Sequence, residues 1–163
     1  KEIEIKRKKN KMTSASQYPG DRTAPKSTLR LEHVYGYRSA NCRSNIHLTD
    51  SGELVYFSAA VGIVQNLNAK TNPSQRFFLG HDGDIISSCL HPNKTTIATG
   101  QMGKTAQICV WDTQGIMKLE SLLQGHTAGV GALNFNGDGE VKIFNLRQTF
   151  EILICCFVLL NRN

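Results

Sequence analysis

The segment at residues 98–105 has the composition of a loop that binds phosphate. It reads Ala-Thr-Gly-Gln-Met-Gly-Lys-Thr, a permissive phosphate-loop pattern with Ala98 in the first glycine position. Such loops hold phosphate with backbone amides and the N-terminus of a following helix. The residues that follow, 107–111, read as a strand instead. We therefore favour a glycine-rich turn between two strands. In the alternative, a nucleotide-binding enzyme, Lys104→Ala would abolish binding.

Cysteine and histidine side chains are the residues most suited to hold a metal ion. Cys89 and His91 are close in sequence while Cys42 and His47 lie elsewhere, and this spacing matches no structural zinc pattern. The five cysteines are odd in number, form no Cys-x-x-Cys pair and follow no signal peptide, so we expect a reduced intracellular protein. We predict no catalytic residue, no cofactor and no metal site.

The strongest local charge is a run of cations near the start of the sequence. Residues 1–12 have a net charge of +4, out of +6 for the whole sequence. One interpretation is a solvated linker, and the other is an arm that binds an acidic surface. Nucleic acid is disfavoured because no aromatic residues are interleaved with the cations. The candidate contacts are Lys6, Arg7, Lys8, Lys9 and Lys11.

The elements that position these residues are predicted to be strands. Hydrophobic residues make up 40% of the 163 and charged residues 20%, which is typical of a globular protein. Short runs rich in Val, Ile, Thr, Tyr and Phe alternate with Gly, Asn and Asp clusters, so we predict an all-β fold. The apolar run at 152–160 is shorter than the roughly 20 residues that a membrane helix needs, so we expect no membrane partner.

Two residue pairs define a repeat in the second half of the sequence. Gly-His occurs at 80–81 and again at 125–126, and thirty positions separate His81 from Trp111 in a Trp-Asp pair. This spacing is typical of one blade of a WD-repeat propeller. The predicted blade strands are residues 77–79, 84–90, 95–99, 107–111 and 117–123. Ahead of them, residues 53–57 and 61–67 are predicted to form a hairpin around Ala59 and Ala60.

The sequence after this blade departs from the repeat. Residues 130–135 open a next blade, but residues 140–145 then look like a third strand where a second is due. Either the second strand is deleted, or the residues after about 139 are foreign to the repeat, for example translated intron. The apolar stretch at 152–160 favours the latter. The first residue is Lys1 and not Met, so we also expect a fragment.

A string of residues ahead of the blade is similar to a known motif. Leu-Glu-His-Val-Tyr-Gly-Tyr-Arg at 31–38, Cys-Arg-Ser-Asn at 42–45, Val-Tyr-Phe at 55–57 and Val-Gly-Ile-Val at 61–64 resemble the HELP motif of the echinoderm microtubule-associated protein-like family. The resemblance covers about residues 20–139. His33 occupies a position where other members have Trp, and the later modules of long, multi-module members can also have His there. The resemblance therefore implies a truncated module of such a long member.

The resemblance implies a partial WD-repeat β-propeller behind a disordered basic N-terminal segment. The implied divisions are a linker at 1–28, HELP strands at 29–76, a complete blade at 77–124, the start of a next blade at 125–139 and an atypical tail at 140–163. It further implies that His81, Thr99 and Trp111 form a buried network, with His126 in the equivalent position of the next blade. No Asp lies between Gly100 and Val110, so we expect His81 to find another partner or to contact water.

The implied function is a scaffold that binds tubulin and modifies microtubule assembly, in the cytoplasm and on the cytoskeleton. Other proteins are possible partners for the propeller surface. The alternative is a generic WD-repeat adaptor for protein–protein interaction that does not bind tubulin. In both interpretations the protein is not an enzyme.

Overall fold

The computed structural model describes residues 26–40, 42, 44–69, 74–137 and 139, and the backbone of residues 141–144 and 156–158. The chain divides into two units, Lys1–Arg30 and Leu31–Asn163, and the architecture below is that of the second. Because residues 1–25 lie outside the described residues, the predicted disorder of the basic N-terminal segment lies outside them too.

The described part of the chain consists of strands joined by turns, so the predicted all-β class is confirmed. Within it, no helix is long and apolar enough to cross a membrane. Its eleven strands are β1 (Ile46–Leu48), β2 (Leu54–Ser58), β3 (Val61–Gln65), β4 (Gln75–Phe78), β5 (Ile85–Leu90), β6 (Thr96–Gln101), β7 (Ala106–Asp112), β8 (Leu119–His126), β9 (Ala132–Phe135), β10 (Val141–Phe144) and β11 (Cys156–Val158).

These strands form three antiparallel sheets in chain order. The first sheet has the order β1-β2-β3-β4, the second β5-β6-β7-β8, and the third β11-β10-β9. Such consecutive up-and-down sheets are the units of a propeller, and the partial WD-repeat fold is confirmed. The described strands do not close into a ring. In the third sheet β10 pairs directly with β9, so Val141–Phe144 lies in the second position of that sheet.

The first sheet contains the predicted hairpin. β2 pairs with β3 from Leu54↔Gln65 to Ser58↔Val61, which leaves Ala59 and Ala60 as a two-residue turn. Ala59 has a φ of 49°, the left-handed conformation that the tight hairpin turns require. The next strand, β4, continues the same sheet through pairs such as Gly62↔Phe78. The predicted division between residues 76 and 77 therefore falls inside β4. The sequence repeat groups this strand with the blade, whereas its hydrogen bonds place it in the first sheet.

The second sheet lies between the other two and buries both of its faces. All six residues of β6 are buried, and none of them is charged, as expected for a strand that is covered on both faces. One face packs on the first sheet through Val55, Val64, Phe78, Ile97, Cys109, Trp111 and Met117. The other face packs on the third sheet through Ala98, Ala106, Ile108, Val110, Val130, Leu133 and Phe135.

Backbone hydrogen bonds between turns complete the joint between the first two sheets. Ile85 N donates to Ala59 O over 2.9 Å at one end of the sheets, and Asp50 N donates to Lys94 O over 3.2 Å at the other. The segment ahead of β1 crosses the opposite face of the first sheet, where Arg38 N donates to Phe57 O. The two sheets are thus fixed to each other at both ends as well as through the core.

Candidate functional site

The structure brings His81, Thr99 and Trp111 together at the joint between the first two sheets. Trp111 Nε1 donates to Thr99 Oγ1 over 3.0 Å, and His81 Nε2 lies 2.7 Å from the same oxygen. All three side chains are at most 8% exposed. Thr99 on β6 is paired with Cys109 on β7, so the strand register places its hydroxyl between the histidine and the indole.

Gln101 is the partner of His81 that the sequence did not identify. His81 Nδ1 lies 2.8 Å from Gln101 Oε1, while Gln101 Nε2 donates to Asp82 Oδ1 and to Thr105 O. The network therefore runs from His81 through a neutral amide to the Asp82 carboxylate. The signal was available in the spacing, because Gln101 is two residues beyond Thr99 and successive residues of a strand point to opposite faces.

The donor and acceptor roles in this network indicate a neutral imidazole. Because both contacts of Gln101 Nε2 are with acceptors, the amide presents its oxygen to His81, so His81 Nδ1 carries the hydrogen. His81 Nε2 then accepts from the Thr99 hydroxyl. Burial lowers the pKa of His81, and the hydrogen bond that its Nδ1 donates to Gln101 Oε1 and the charge of Asp82 only partly oppose that shift. A buried neutral histidine of this kind fixes the strands and has no free nitrogen for catalysis.

Trp111 also carries the apolar part of the joint. Its ring stacks on Phe78 with centroids 4.6 Å apart and an interplanar angle of 5°. Gly62 on β3 makes room for the indole, since a Cβ there would lie 2.9 Å from Trp111 Cζ2. Next to it, burial raises the pKa of the Cys109 thiol to about 11. The residues at this joint act as a packed core with an internal polar network.

His126 lies apart from that network. It is the last residue of β8, opposite Ala106 on β7, and it is half-buried. Within the described residues no hydrogen bond joins it to His81, Thr99 or Trp111. The five candidate cations Lys6, Arg7, Lys8, Lys9 and Lys11 lie outside the described residues.

The segment at 98–105 is a strand end and a turn, as the favoured interpretation predicts. β6 runs to Gln101 and β7 begins at Ala106, so no helix follows to present its N-terminus to a phosphate. Lys104 is exposed in the intervening turn. This geometry lacks the helix on which phosphate-loop chemistry depends.

The Cys and His residues considered as metal ligands have other contacts. Cys89 Sγ lies 3.6 Å from Asn134 Oδ1, and His91 packs edge-on against Phe135 with centroids 4.8 Å apart. Across the described ranges, no three His, Cys, Asp or Glu side chains are grouped to hold an ion. The cysteines described there, Cys42, Cys89 and Cys109, are free thiols.

One cavity of about 490 Å³ opens beside the inner strands of the three sheets. Two serines in its wall already donate to the backbone, Ser87 to Val130 O and Ser88 to Ser44 O. His47 Nε2 lies 2.9 Å from Ser88 Oγ, and burial lowers the pKa of that histidine. The lining is Cys42, Ser44, Ser87, Ser88, Gly131, Ala132 and Leu133, which offers hydroxyls but no charged group.

A second buried glutamine, Gln75, holds the segment ahead of β1 against the first sheet. Val34 N donates to Gln75 Oε1 over 2.8 Å, and Gln75 Nε2 donates back to Val34 O over 3.0 Å. The same Nε2 also lies 2.9 Å from Tyr56 Oη and 3.1 Å from Gln65 Oε1. Sequence reasoning gave no sign of this clamp, because the contact spans 41 positions.

Ion pairs at the rim of the first sheet complete the local electrostatics. Arg38 Nη1 lies 2.8 Å from Asp84 Oδ2, and this hydrogen bond is the main cause of the raised pKa of Arg38. Arg76 Nη2 lies 2.6 Å from Glu53 Oε2, and Arg76 Nη1 donates to Gly115 O. Both arginines therefore join turns to the sheets.

Comparison with known proteins agrees with this arrangement. Residues 24–63 match the HELP motif, and residues 72–112 match the WD domain, G-beta repeat. Echinoderm microtubule-associated protein-like 2 of Rattus norvegicus is 36% identical over 118 residues, which is 68% of this chain and 17% of that protein. The 77 kDa echinoderm microtubule-associated protein of Lytechinus variegatus is 40% identical over 115 residues, 66% of this chain and 16% of that protein.

A third relative extends the same agreement. Echinoderm microtubule-associated protein-like 4 of Mus musculus is 39% identical over 121 residues, 69% of this chain and 12% of that protein. The chain thus spans less than a fifth of the length of these curated relatives. The resemblance stated from residues 31–64 and from the blade spacing is confirmed.

Proposed function

We infer that this chain, a homologue of the echinoderm microtubule-associated protein-like proteins, is a binding module for microtubules and not an enzyme. The observation that carries this inference is an alignment of 118 residues, longer than either motif alone, with relatives named for microtubule association. We place its action in the cytoplasm on the cytoskeleton, where it would serve as a scaffold that modifies microtubule assembly.

The arrangement of the sheets supports a scaffold. His81 is buried, and its hydrogen bonds fix the joint between two sheets. The turns at the sheet ends reach solvent. At the end that holds His81, Leu79 and Met102 are exposed, and Lys104 lies exposed between β6 and β7. Rigid sheets that display variable turns are a common way to build a protein-binding surface.

The basic N-terminal segment would supply a second, weaker contribution. Residues 1–12 have a net charge of +4, and microtubules expose acidic surfaces. A cationic arm speeds encounter with such a surface, and salt screens the attraction. We therefore propose that the sheets carry the specific contact and that the arm increases the rate of binding.

The experiment is co-pelleting of the full chain with microtubules over a salt series. A variant with Lys6, Arg7, Lys8, Lys9 and Lys11 changed to Gln tests the arm, and Lys94→Gln with Lys118→Gln is a control for general charge loss. We expect the arm variant to bind more weakly at low salt and to match the wild type at moderate salt. Failure of the wild type to pellet at low salt would overturn the proposal.

The second candidate is a WD-repeat adaptor for proteins other than tubulin. The exposure of Leu79 and Met102, which are 64% and 45% accessible, favours it because apolar side chains at turns suit a protein partner. Recovery of another protein in a pulldown from which tubulin is absent would support this candidate. A pellet that depends entirely on the five N-terminal cations and that salt removes would show that the chain acts as a plain polycation and that the sheets do not carry the contact.

A further inference from the structure

Three turns of the molecule have the same form, one in each sheet, where the first strand in the chain is joined to the second. In each turn the fourth residue donates its backbone N–H to the carbonyl of the first. The bonds, of 3.1, 2.8 and 3.1 Å respectively, are Gly52 N to Thr49 O, Lys94 N to His91 O and Gly139 N to Asn136 O. The fourth residue has a left-handed φ in every case, 74°, 57° and 83°. The first and second residues of these turns can therefore be compared position by position.

The first residue of each turn has a side chain that can bond to the backbone. Thr49 Oγ1 accepts from Glu53 N over 3.0 Å, and His91 Nδ1 accepts from Asn93 N over 3.0 Å. A hydroxyl and an imidazole have no carbon that a backbone nitrogen can attack. The third turn begins with Asn136, whose amide carbon Cγ is electrophilic. Of these three turns, it is therefore the third that begins with a residue the chain itself can attack.

The second residue of the turn decides whether a nucleophile is present. In the second sheet it is Pro92, which has no N–H. In the third sheet it is Gly137, which is exposed. A Cβ on Gly137 would meet no heavy atom of the described residues within 4 Å, apart from its chain neighbours. The missing side chain and the open surroundings leave room for Gly137 N to reach Asn136 Cγ and close a succinimide ring.

A second pair with the same chemical potential, Asp82 and Gly83, is held in place. Asp82 Oδ1 accepts from Gln101 Nε2 and, over 3.2 Å, from Gln107 Nε2. Gly83 is half-buried against the backbone, since a Cβ there would lie 2.5 Å from Met102 O. The carboxyl group of Asp82 would have to break both hydrogen bonds to turn onto Gly83 N. The surroundings therefore favour reaction at Asn136 over reaction at Asp82.

We propose that Asn136 is a site of self-modification, at which the chain converts its own asparagine into aspartate and isoaspartate. Gly137 N forms a bond to Asn136 Cγ while the bond from Cγ to Nδ2 breaks. The released nitrogen takes up the proton lost by Gly137 N and leaves as ammonia. Water then opens the succinimide at one carbonyl to give aspartate, or at the other to give isoaspartate, without any oxidant or reductant. Asparagine is one of the thermolabile residues of proteins, and this proposal does not depend on microtubule binding.

The products would change the third sheet in two ways. The amide becomes a carboxylate, which adds a negative charge at the turn. In isoaspartate the backbone also runs through the side chain, so an extra atom enters the path between Phe135 and Gly139. That path is closely fitted, because Gly139 lies against the ring of His91, which itself packs edge-on on Phe135 with centroids 4.8 Å apart. We therefore expect isoaspartate to loosen the pairing of β9 with β10.

The test is peptide mass spectrometry of the full chain, fresh and after incubation at mildly alkaline pH. We expect the peptide that contains Asn136 to gain the mass difference between an acid and an amide, and to separate into two products of equal mass. Gly137→Pro is the matched variant, because it copies the His91-Pro92 turn and removes the nucleophile. The φ of Gly137 is not left-handed, so the turn can accept Pro. This variant should slow the modification by about tenfold or more, and circular dichroism checks that the fold is kept.

Asn93 is the internal reference, because its side chain bonds to Thr95 N, Thr96 N and Thr96 Oγ1 and should stay unmodified. A wild type in which Asn136 also stays unmodified overturns the proposal. So does an equal rate in Gly137→Pro, since the succinimide cannot form there. Equal modification of Asn93 and Asn136 overturns it as well, because the turn would then have no influence.

Hydrogen exchange of the fresh and the incubated protein tests the structural consequence. We expect β9 to exchange faster after incubation, while β2 in the first sheet stays unchanged. The Gly137→Pro variant should show no such difference. An incubated protein that has accumulated isoaspartate but exchanges at β9 like the fresh protein would overturn the proposed loosening of the third sheet.

Discussion

Two buried glutamines perform the same task in neighbouring sheets with different partners. Gln75 in the first sheet bonds a backbone segment and a phenol, and Gln101 in the second sheet bonds an imidazole and a carboxylate. Both are at most 3% exposed. The difference teaches that one amide fixes the path of the chain across a sheet, while the other fixes the protonation state of a ring. Only the second is coupled to a group that titrates near neutral pH.

The largest expected loss of stability comes from substitution of Trp111, which lies at the joint between the first and second sheets. Trp111→Ala removes the stack on Phe78 and leaves Thr99 without the indole donor. We expect the free energy of unfolding to fall by about 3–5 kcal/mol, the usual cost of truncating a large buried aromatic residue. Urea denaturation followed by circular dichroism measures it. Trp111→Phe is the control, because it keeps most of the stack, and an equal loss in both variants would contradict a packing origin.

Gln75→Ala separates the first region from the second. It leaves Val34 N and Val34 O without their buried partner, so we expect a loss of about 1–3 kcal/mol in the free energy of unfolding. Hydrogen exchange should rise in residues 31–38 and stay unchanged in β6 and β7. Gln101→Ala should give the reverse pattern. If either variant loosened both regions equally, the two amides would not be independent.

The pH dependence should distinguish the two regions further. Burial lowers the pKa of His81 and of His47, so between the folded pKa and about 6.5 the unfolded chain binds more protons than the folded chain. The stabilisation from neutral imidazoles is therefore present above about pH 6.5 and is lost as the pH falls. The charge of Asp82 opposes part of this loss.

Urea denaturation at a series of pH values from about 7.5 to 5 measures this dependence. The slope of unfolding free energy against pH should be reduced in His81→Gln and in His47→Gln, and reduced most in the double variant. Gln75→Ala should lower stability at every pH without changing the slope. An unchanged slope in the double histidine variant would show that other groups cause the acid sensitivity.

The smallest expected effect is at the rim, where Arg76 links β4 to Glu53 and to Gly115 O. Arg76→Met should cost up to about 1 kcal/mol, because solvent screens partly exposed ion pairs. A double-mutant cycle with Glu53→Gln isolates the pair, and added salt should shrink the coupling. If the coupling energy of this ion pair exceeded the loss of unfolding free energy in Gln75→Ala, the rim contact would be stronger than the buried one, contrary to the proposed ranking.

Much of the architecture followed from local sequence signals, and the hairpin at Ala59 and Ala60 is the clearest case. The blade strands were also predicted, although β8 extends to His126 where the pattern suggested an end near residue 123. Each of these elements has its own apolar run bounded by turn residues, so short-range patterns were enough to locate it.

The contacts that were missed are long-range or depend on strand register. The residues around Gln75 in the sequence do not indicate a contact with Val34. The sequence of β4 likewise does not show that this strand pairs with β3 in the first sheet, although the repeat pattern groups it with the second. Gln101 was missed for another reason: the turn after Thr99 has no Asp, so sequence reasoning expected another partner for His81, or water, without naming one. A search of the strand face shared with Thr99 would have found the amide.

The position of β4 has a consequence for how repeats can be added to such a protein. The sequence repeat and the hydrogen-bonded sheet differ by one strand. β4 lies just before the Gly-His turn and so belongs to the repeat of the second sheet, but its hydrogen bonds complete the first sheet. A duplicated repeat therefore contains the last strand of the preceding sheet as well as the first three strands of its own sheet. The backbone hydrogen bonds of that strand therefore join each added repeat to the sheet that precedes it.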